Sequence, residues 1–406
     1  MLTRRLGLLA SALFFGAGSA FAQQKRSGGR AGTGGHKGKD AEAPTGSPAG
    51  TPLGPIDTAA RWAFIEDYDT GASLLEKQAD DEMPPSSMTK LMTLYLVYDQ
   101  LKQGRLKLED ELPVTEKAWR MQGSKMFVQI GSTVKVEDLV RGVVVQSGND
   151  AAIVLAEAIG GSEEQFAEKM NAKAKELGLT HSFFKNCTGW PDPEQHMSCR
   201  DIATLAGRII RDFPDYYHYD AEKTFRYNGI EQGNRNPMVQ KGTADGLKTG
   251  HTEAGGYGLV ASSKRNGRRV ILVLNGMSSM HERAEESERL MDWGFFNFED
   301  VTLFSAGDVI ENVPVWLGTS HSVPLVAGRD VIVTMPRNWR QKASIKLSYE
   351  QPLTAPVAKG DTLGKLTVTG DGVPNLELPL MAAADVPRLN LPGRAIAVLS
   401  KYVTGT

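Results

Sequence analysis

The sequence predicts an α+β domain followed by a small all-β sandwich. From about Ile56 to Asp300 both hydrophobic periodicities are present, with helical segments lying between a first strand and a late strand meander. From about Val301 the helical patterning vanishes. Short strand candidates then recur at regular spacing, separated by Gly, Pro, Asn and Asp turns.

In the first domain, residues 56–300, Arg61 to Asp67 reads as a strand and Thr70-Gly71 as the turn after it. Pro84-Pro85 opens a helix that carries Ser87 and runs from Lys90 to Leu101, because proline is tolerated in a first helical turn. Val136 to Val145 and Asp150 to Ile159 are helical, the latter with Ala151, Ala152, Leu155 and Ala156 on one face. Phe166 to Leu177 and Asp201 to Arg211 repeat that pattern. After Gly246, Leu247 to Gly250 and Tyr257 to Ser262 read as strands, Lys264 to Gly267 as a turn, and Arg268 to Leu274 as a third strand. Helical patterning returns at Arg283 to Trp293.

In the second domain, residues 301–391, the strand candidates are Val313 to Leu317, Val323 to Val326, Asp330 to Thr334, Ala343 to Tyr349 and Lys365 to Val368. The tail, residues 392–406, can form a short helix with Ala395, Val398, Leu399 and Tyr402 on one face. It reads either as a weak inner-membrane contact or as a frayed terminus.

The N-terminus has the pattern of an export signal. Arg4 and Arg5 precede an apolar run from Leu6 to about Ala17, and Ala20-Phe21-Ala22 supplies a small-x-small cleavage site. Residues 1–22 are therefore expected to be removed and the chain delivered to the periplasm. No cysteine follows the run, which argues against a lipid anchor. Residues 23–55 are rich in Gly, Ala, Pro and Ser and lack aromatics before the strand region, so they read as a disordered tether. With 46 Lys and Arg against 48 Asp and Glu, and no large charged block, nothing points to nucleic acid. Cys187 and Cys199 have neither metal-ligand nor CxxC spacing. Either they close a short loop as a disulfide or they stay two buried thiols.

Ser87-Met88-Thr89-Lys90 carries the chemistry. A serine hydroxyl is a poor nucleophile at neutral pH and needs a group to take its proton. At helical spacing, Lys90 can reach Ser87 from the same face, provided its amine is neutral. The same spacing occurs at Ser182-Phe183-Phe184-Lys185, where no helix-opening signal precedes the serine, and Ser182 reads as structural. What separates the two is company. Ser147-Gly148-Asn149 and Lys248-Thr249-Gly250 lie downstream, and the three motifs together are the signature of penicillin-binding proteins and class A β-lactamases.

The chain resembles the D-alanyl-D-alanine carboxypeptidases, the low-molecular-mass penicillin-binding proteins among serine peptidases. Pro84 to Thr93, Gly123 to Phe127, Gln146 to Ala152, Asn234 to Pro237 and Asp245 to Thr252 carry the resemblance. It implies a β-lactamase/transpeptidase-like fold for the first domain, and a peptidoglycan stem peptide ending in D-Ala-D-Ala as substrate. It also implies acylation by β-lactams, and no metal or organic cofactor. Ser87 is expected to attack the carbonyl between the terminal D-alanines, with Lys90 as base. Ser147 would relay a proton to the leaving amine, and Asn149 would hold the substrate amide. The backbone of Ser87 and His251 would form the oxyanion hole. Lys248 would supply positive charge and keep Lys90 deprotonated, while Thr249, with Gly250 beside it, and Arg283 would bind the free carboxylate. The other histidines, such as His181 and His196, read as structural. A class A β-lactamase is the first rival, but no Glu-x-x-Leu-Asn segment lies between Ser147 and Lys248. An endopeptidase and a catalytically slow wall-binding scaffold are the others.

Overall fold

The computed structural model describes residues 47–370 and 373–404. The expected leader, and the tether up to residue 46, lie outside the described residues. The tether ends earlier than expected. Ala49 and Ile56 exchange two backbone hydrogen bonds of 2.8 and 3.0 Å, and Gly50 pairs with Glu76. Ala49 is fully buried, so pairing and burial here outweigh a composition that favours disorder.

An antiparallel five-stranded sheet organises the first domain. Its order is Ser73–Lys77, Trp62–Asp67, Arg268–Met277, Gly256–Arg265, Gly246–Thr252. Ser73–Lys77 is not expected from sequence, because five residues give too little alternation to register. The central run Val270 to Leu274 is fully buried. Helix Cys199–Asp212 covers one face of its strand and helix Met280–Asn297 the other. Burial on both faces explains why this strand reads as continuously apolar rather than alternating.

The helices inserted between the first hairpin and the meander build the larger core. Several begin before the apolar pattern does, because a serine caps them. Ser162, Ser198 and Ser279 accept backbone N–H bonds from Gln165, Asp201 and Glu282.

The second domain opens at Phe298, slightly earlier than expected. Strand Phe298–Phe304 pairs with Val331–Pro336. A six-stranded sheet runs in the order Ala343–Tyr349, Thr362–Gly370, Val373–Ala382, Ser322–Ala327, Val309–Trp316, Leu353–Thr354. It has its own apolar core. The domains join at Arg268, whose Nε lies 2.7 Å from Asp67 and 3.3 Å from Asp300. The tail forms helix Leu391–Thr404. No helix among the described residues is long and apolar enough to cross a membrane.

The two cysteines are free and buried. Cys187 Sγ lies 3.4 Å from a Glu163 carboxylate oxygen and Cys199 Sγ 3.9 Å from Met83 Sδ. Of the two arrangements open from sequence, the thiols are the one found, each held by its own neighbours.

Candidate active site

The Ser87-to-Lys90 segment is not a plain α-helical start. Ser86–Thr89 forms a 3₁₀ turn, and helix Lys90–Lys102 continues from it. With three residues per turn, i and i+3 eclipse, so this geometry aligns Ser87 and Lys90 better than an α-helix would. Lys90 Nζ lies 3.0 Å from Ser87 Oγ. The same amine donates to the Thr188 carbonyl. That carbonyl belongs to a loop organised by Asn186 Oδ1, which accepts from the backbone N–H of Gly189 at 2.8 Å and of Trp190 at 3.1 Å. The decoy serine is structural, as expected. Ser182 Oγ donates to Asp201 at 2.7 Å, and Lys185 pairs with Glu194.

Lys90 is fully buried, and its pKa is pushed down to about 7. Burial is the main cause; Arg235 adds to it, while Cys187 and Asp150 oppose it. Burial is thus the larger cause, beside the like charge expected of Lys248. Burial and like charge from Lys90 and Arg235 push Lys248 itself down.

The second motif sits where two elements meet. Ser147 lies between helices Val136–Val145 and Asn149–Gly160, with φ of +60°, a left-handed conformation that costs a non-glycine residue. Its buried Oγ has no hydrogen-bond partner among the described residues. Asn149 is tied back to the Gly123–Phe127 region. Its N–H donates to the Ser124 carbonyl and its Nδ2 to the Gln122 carbonyl, each at 2.7 Å. Asp150 completes the clamp by accepting from the N–H groups of Met126 and Phe127, both at 2.9 Å, and of Val128 at 3.2 Å.

The third motif lies on the sheet's edge strand, Gly246–Thr252. Lys248 and Thr249 are buried there. Gly250 is where the strand meets the nucleophile's turn. A Cβ at that position would lie 3.0 Å from the Pro85 carbonyl oxygen and 3.0 Å from Ser86 Cβ. His251 is exposed and stacks on Tyr257 with ring centroids 3.9 Å apart. No hydrogen bond joins it to Ser87 among the described residues.

Arg283, in helix Met280–Asn297, is only 7% exposed and pairs with no carboxylate among the described residues. Its Nη2 reaches the Arg235 carbonyl at 3.4 Å, and its buried Nε has no partner. A buried guanidinium with a free edge suits an incoming carboxylate.

Residues 48–279 match the family model for D-alanyl-D-alanine carboxypeptidase, and residues 298–388 match that for the penicillin-binding protein 5 C-terminal domain. The chain belongs to the D-alanyl-D-alanine carboxypeptidase family. It is 38% identical over 349 residues to the D-alanyl-D-alanine carboxypeptidase DacA of Haemophilus influenzae, spanning 84% of this chain and 88% of that protein. The fold is similar to the crystal structure of penicillin binding protein 5 from the same organism, with a TM-score of 0.74 and 38% identity over 82% of this chain and 99% of that one. An ampicillin-bound penicillin-binding protein D2 from Listeria monocytogenes aligns with a TM-score of 0.55 and 27% identity, over 59% of this chain and 98% of that one.

Two groups beside the candidate site are not singled out by the sequence. Arg235 lies in the Asn234-to-Pro237 stretch, where the sequence alone assigns it no role. It donates to Ser124 Oγ and contributes positive charge at Lys90, Lys248 and Arg283. Its place between two asparagines in a family motif was the available signal. The Thr188 carbonyl left no signal, because any residue supplies a carbonyl.

Proposed function

We propose that the carboxypeptidase activity of this family member runs through Ser87 as nucleophile and Lys90 as its base. The observation that carries the reading is the 3.0 Å approach of the fully buried Lys90 amine to Ser87 Oγ. An amine with its pKa near 7 is substantially neutral at physiological pH and can accept the hydroxyl proton. Ser87 attacks the carbonyl between the terminal D-alanines of a peptidoglycan stem peptide. Backbone N–H groups of Ser87 and His251 stabilise the oxyanion. Ser147, its hydroxyl free, passes a proton to the departing D-alanine amine. Water then releases the acyl group and regenerates Ser87.

Asn149 holds the substrate amide through Oδ1, since its Nδ2 is anchored on Gln122. Lys248, Thr249 and Arg283 hold the terminal carboxylate, which fits removal of one terminal residue better than cleavage within a cross-link. β-Lactams present a carboxylate and a reactive carbonyl to the same groups, and acylate Ser87.

The deciding experiment is digestion of purified pentapeptide muropeptides. The wild type is expected to release one D-alanine and Ser87→Ala none. Cleavage of cross-linked dimers without release of D-alanine would favour an endopeptidase. Fast nitrocefin turnover without peptide cleavage would favour a β-lactamase.

We further infer that the chain is exported to the periplasm and rests weakly on the inner membrane through its tail. In helix Leu391–Thr404, Leu391, Ile396, Leu399 and Tyr402 are 65–87% exposed. Apolar groups in that arrangement suit a lipid interface. Sedimentation with anionic vesicles is expected for the full chain and lost on truncation after Asn390.

A further inference from the structure

One buried carboxyl beside the site has no part in this scheme. Asp220 lies in the 3₁₀ turn His218–Ala221 and is 1% exposed. Neither of its carboxylate oxygens has a hydrogen-bond partner among the described residues. A carboxyl buried in this way is costly, and its presence calls for a compensating interaction.

The fold supplies one. A Cβ placed on Gly246 would lie 3.2 Å from Asp220 Cβ and 2.8 Å from Tyr217 Oη. Lys248 is two residues along the same strand, within reach of the Asp220 charge. Gly246 thus lets the Asp220 turn close onto the strand beside Lys248.

The charges around this pair come from several elements. Lys248 faces three cations: Lys90 of the first long helix, Arg235 of the segment before helix Pro237–Lys241, and Arg283 of helix Met280–Asn297. Asp220 supplies the opposing charge. Asp220 in turn faces Lys248 and Asp245, with Tyr98 and Tyr217 also nearby. Asp245 is already committed, to Tyr217 Oη at 2.7 Å and Arg269 at 2.8 Å. On helix Val136–Val145, Glu137 is engaged by Tyr219 and Arg141 by Glu222.

We propose that Asp220 is a positioning residue of this site, a buried counter-charge that holds the Lys248 ammonium against three neighbouring cations. The proposal rests on the reading of Lys248 as the cation that receives the substrate carboxylate. Burial pushes the Asp220 carboxyl up to about 8, Lys248 pulling it back and Asp245 adding to the rise. Burial pushes Lys248 the other way. Losing the carboxyl leaves Lys248 to cations alone.

The test is the pH profile of acylation by a fluorescent penicillin, for wild type, Asp220→Asn and Asp220→Ser. Without the counter-charge Lys248 loses its proton at lower pH. Both variants are expected to acylate about tenfold more slowly than wild type near pH 8, and within about twofold of it near pH 6. A profile superimposable on wild type, an equal fall at both pH values, or failure of both variants to fold would overturn the proposal. Absence of acylation in the wild type, or its survival in Ser87→Ala, would instead overturn the reading of the site.

Discussion

At the joint between the domains, Arg268 is shared by Asp67 and Asp300 and also donates to the carbonyls of Gly294 and Phe298. Around Ser87 the balance is reversed: Lys90, Lys248, Arg235 and Arg283 crowd together with few anions to answer them. Both regions bury charge, but the joint sets its cation against two carboxylates, although Arg268 Nη2 has no partner among the described residues. The site leaves Arg283 Nε and Ser147 Oγ without partners. A network of opposite charges holds two domains together, whereas a cluster of like charges has energy to gain from a substrate that brings its own carboxylate.

The sharpest way to break this comparison is to fix a charge at the site that the mechanism needs to be absent. Lys90→Arg keeps a cation at position 90 but removes the neutral form. Acylation by a fluorescent penicillin should fall by about 10²- to 10⁴-fold, the range ascribed to a general base. In the wild type the sign follows from the lowered pKa. The amine must be unprotonated, so acylation should rise with pH up to about 7 and fall tenfold per unit below it. A variant retaining more than a tenth of the wild-type rate would remove Lys90 from its role.

The joint should respond in stability rather than rate. Arg268 is only 10% exposed at its side chain and Asp67 is fully buried. Replacing Arg268 by Leu strands two carboxylates, at a cost of about 3–5 kcal/mol. Chemical denaturation should report that loss, while folded enzyme keeps its acylation rate within about twofold. A large loss of rate in folded protein would mean that the joint and the site are one network.

Arg283→Lys separates charge from shape at the site. A lysine supplies the positive charge but not the paired donors, so KM for a D-Ala-D-Ala peptide should rise by about 10- to 100-fold. Stability should barely change, because the guanidinium pairs with no carboxylate among the described residues. An unchanged KM would return Arg283 to a structural role.

The same contrast explains what could be read in the sequence. Ser87 and Lys90 were legible because their spacing is local and eclipsed in a 3₁₀ turn, and the Ser147 and Lys248 motifs because each is contiguous. The sheet's meander was legible because Val270 to Leu274 is buried on both faces. Asp220 was not, since a lone aspartate near His218 and Tyr219 reads as surface. It is buried only because Gly246 admits its turn. The pairing of Ala49 with Ile56 was hidden for a related reason: the partners that order it lie in a folded strand region, not in its own composition. A lowered Lys90 pKa is what burial or a neighbouring cation such as Lys248 would give, and burial by the whole fold is the larger cause.

The smallest effect, and the finest test, lies at Asp300. Its carboxyl is pushed up to about 6, by burial first and then by the neighbouring Asp67, while Arg268 and the Thr334 hydroxyl pull it down. An unfolded aspartate titrates near about 3.9. The folded chain therefore binds this proton more tightly, and the stability it confers is present below about 4 and lost as pH rises through about 6. Asp300→Asn keeps the side chain's size without the titration. Relative to wild type it should gain stability steadily between about pH 4 and 6 and stay level above, the whole gain remaining below about 1 kcal/mol because the group is partly solvated. Urea denaturation of both proteins across that range would show it. A gain that grew instead as pH fell would mean that Arg268 favours the ionised pair more than Asp67 disfavours it, and the joint would then be the better satisfied of the two regions by a wider margin.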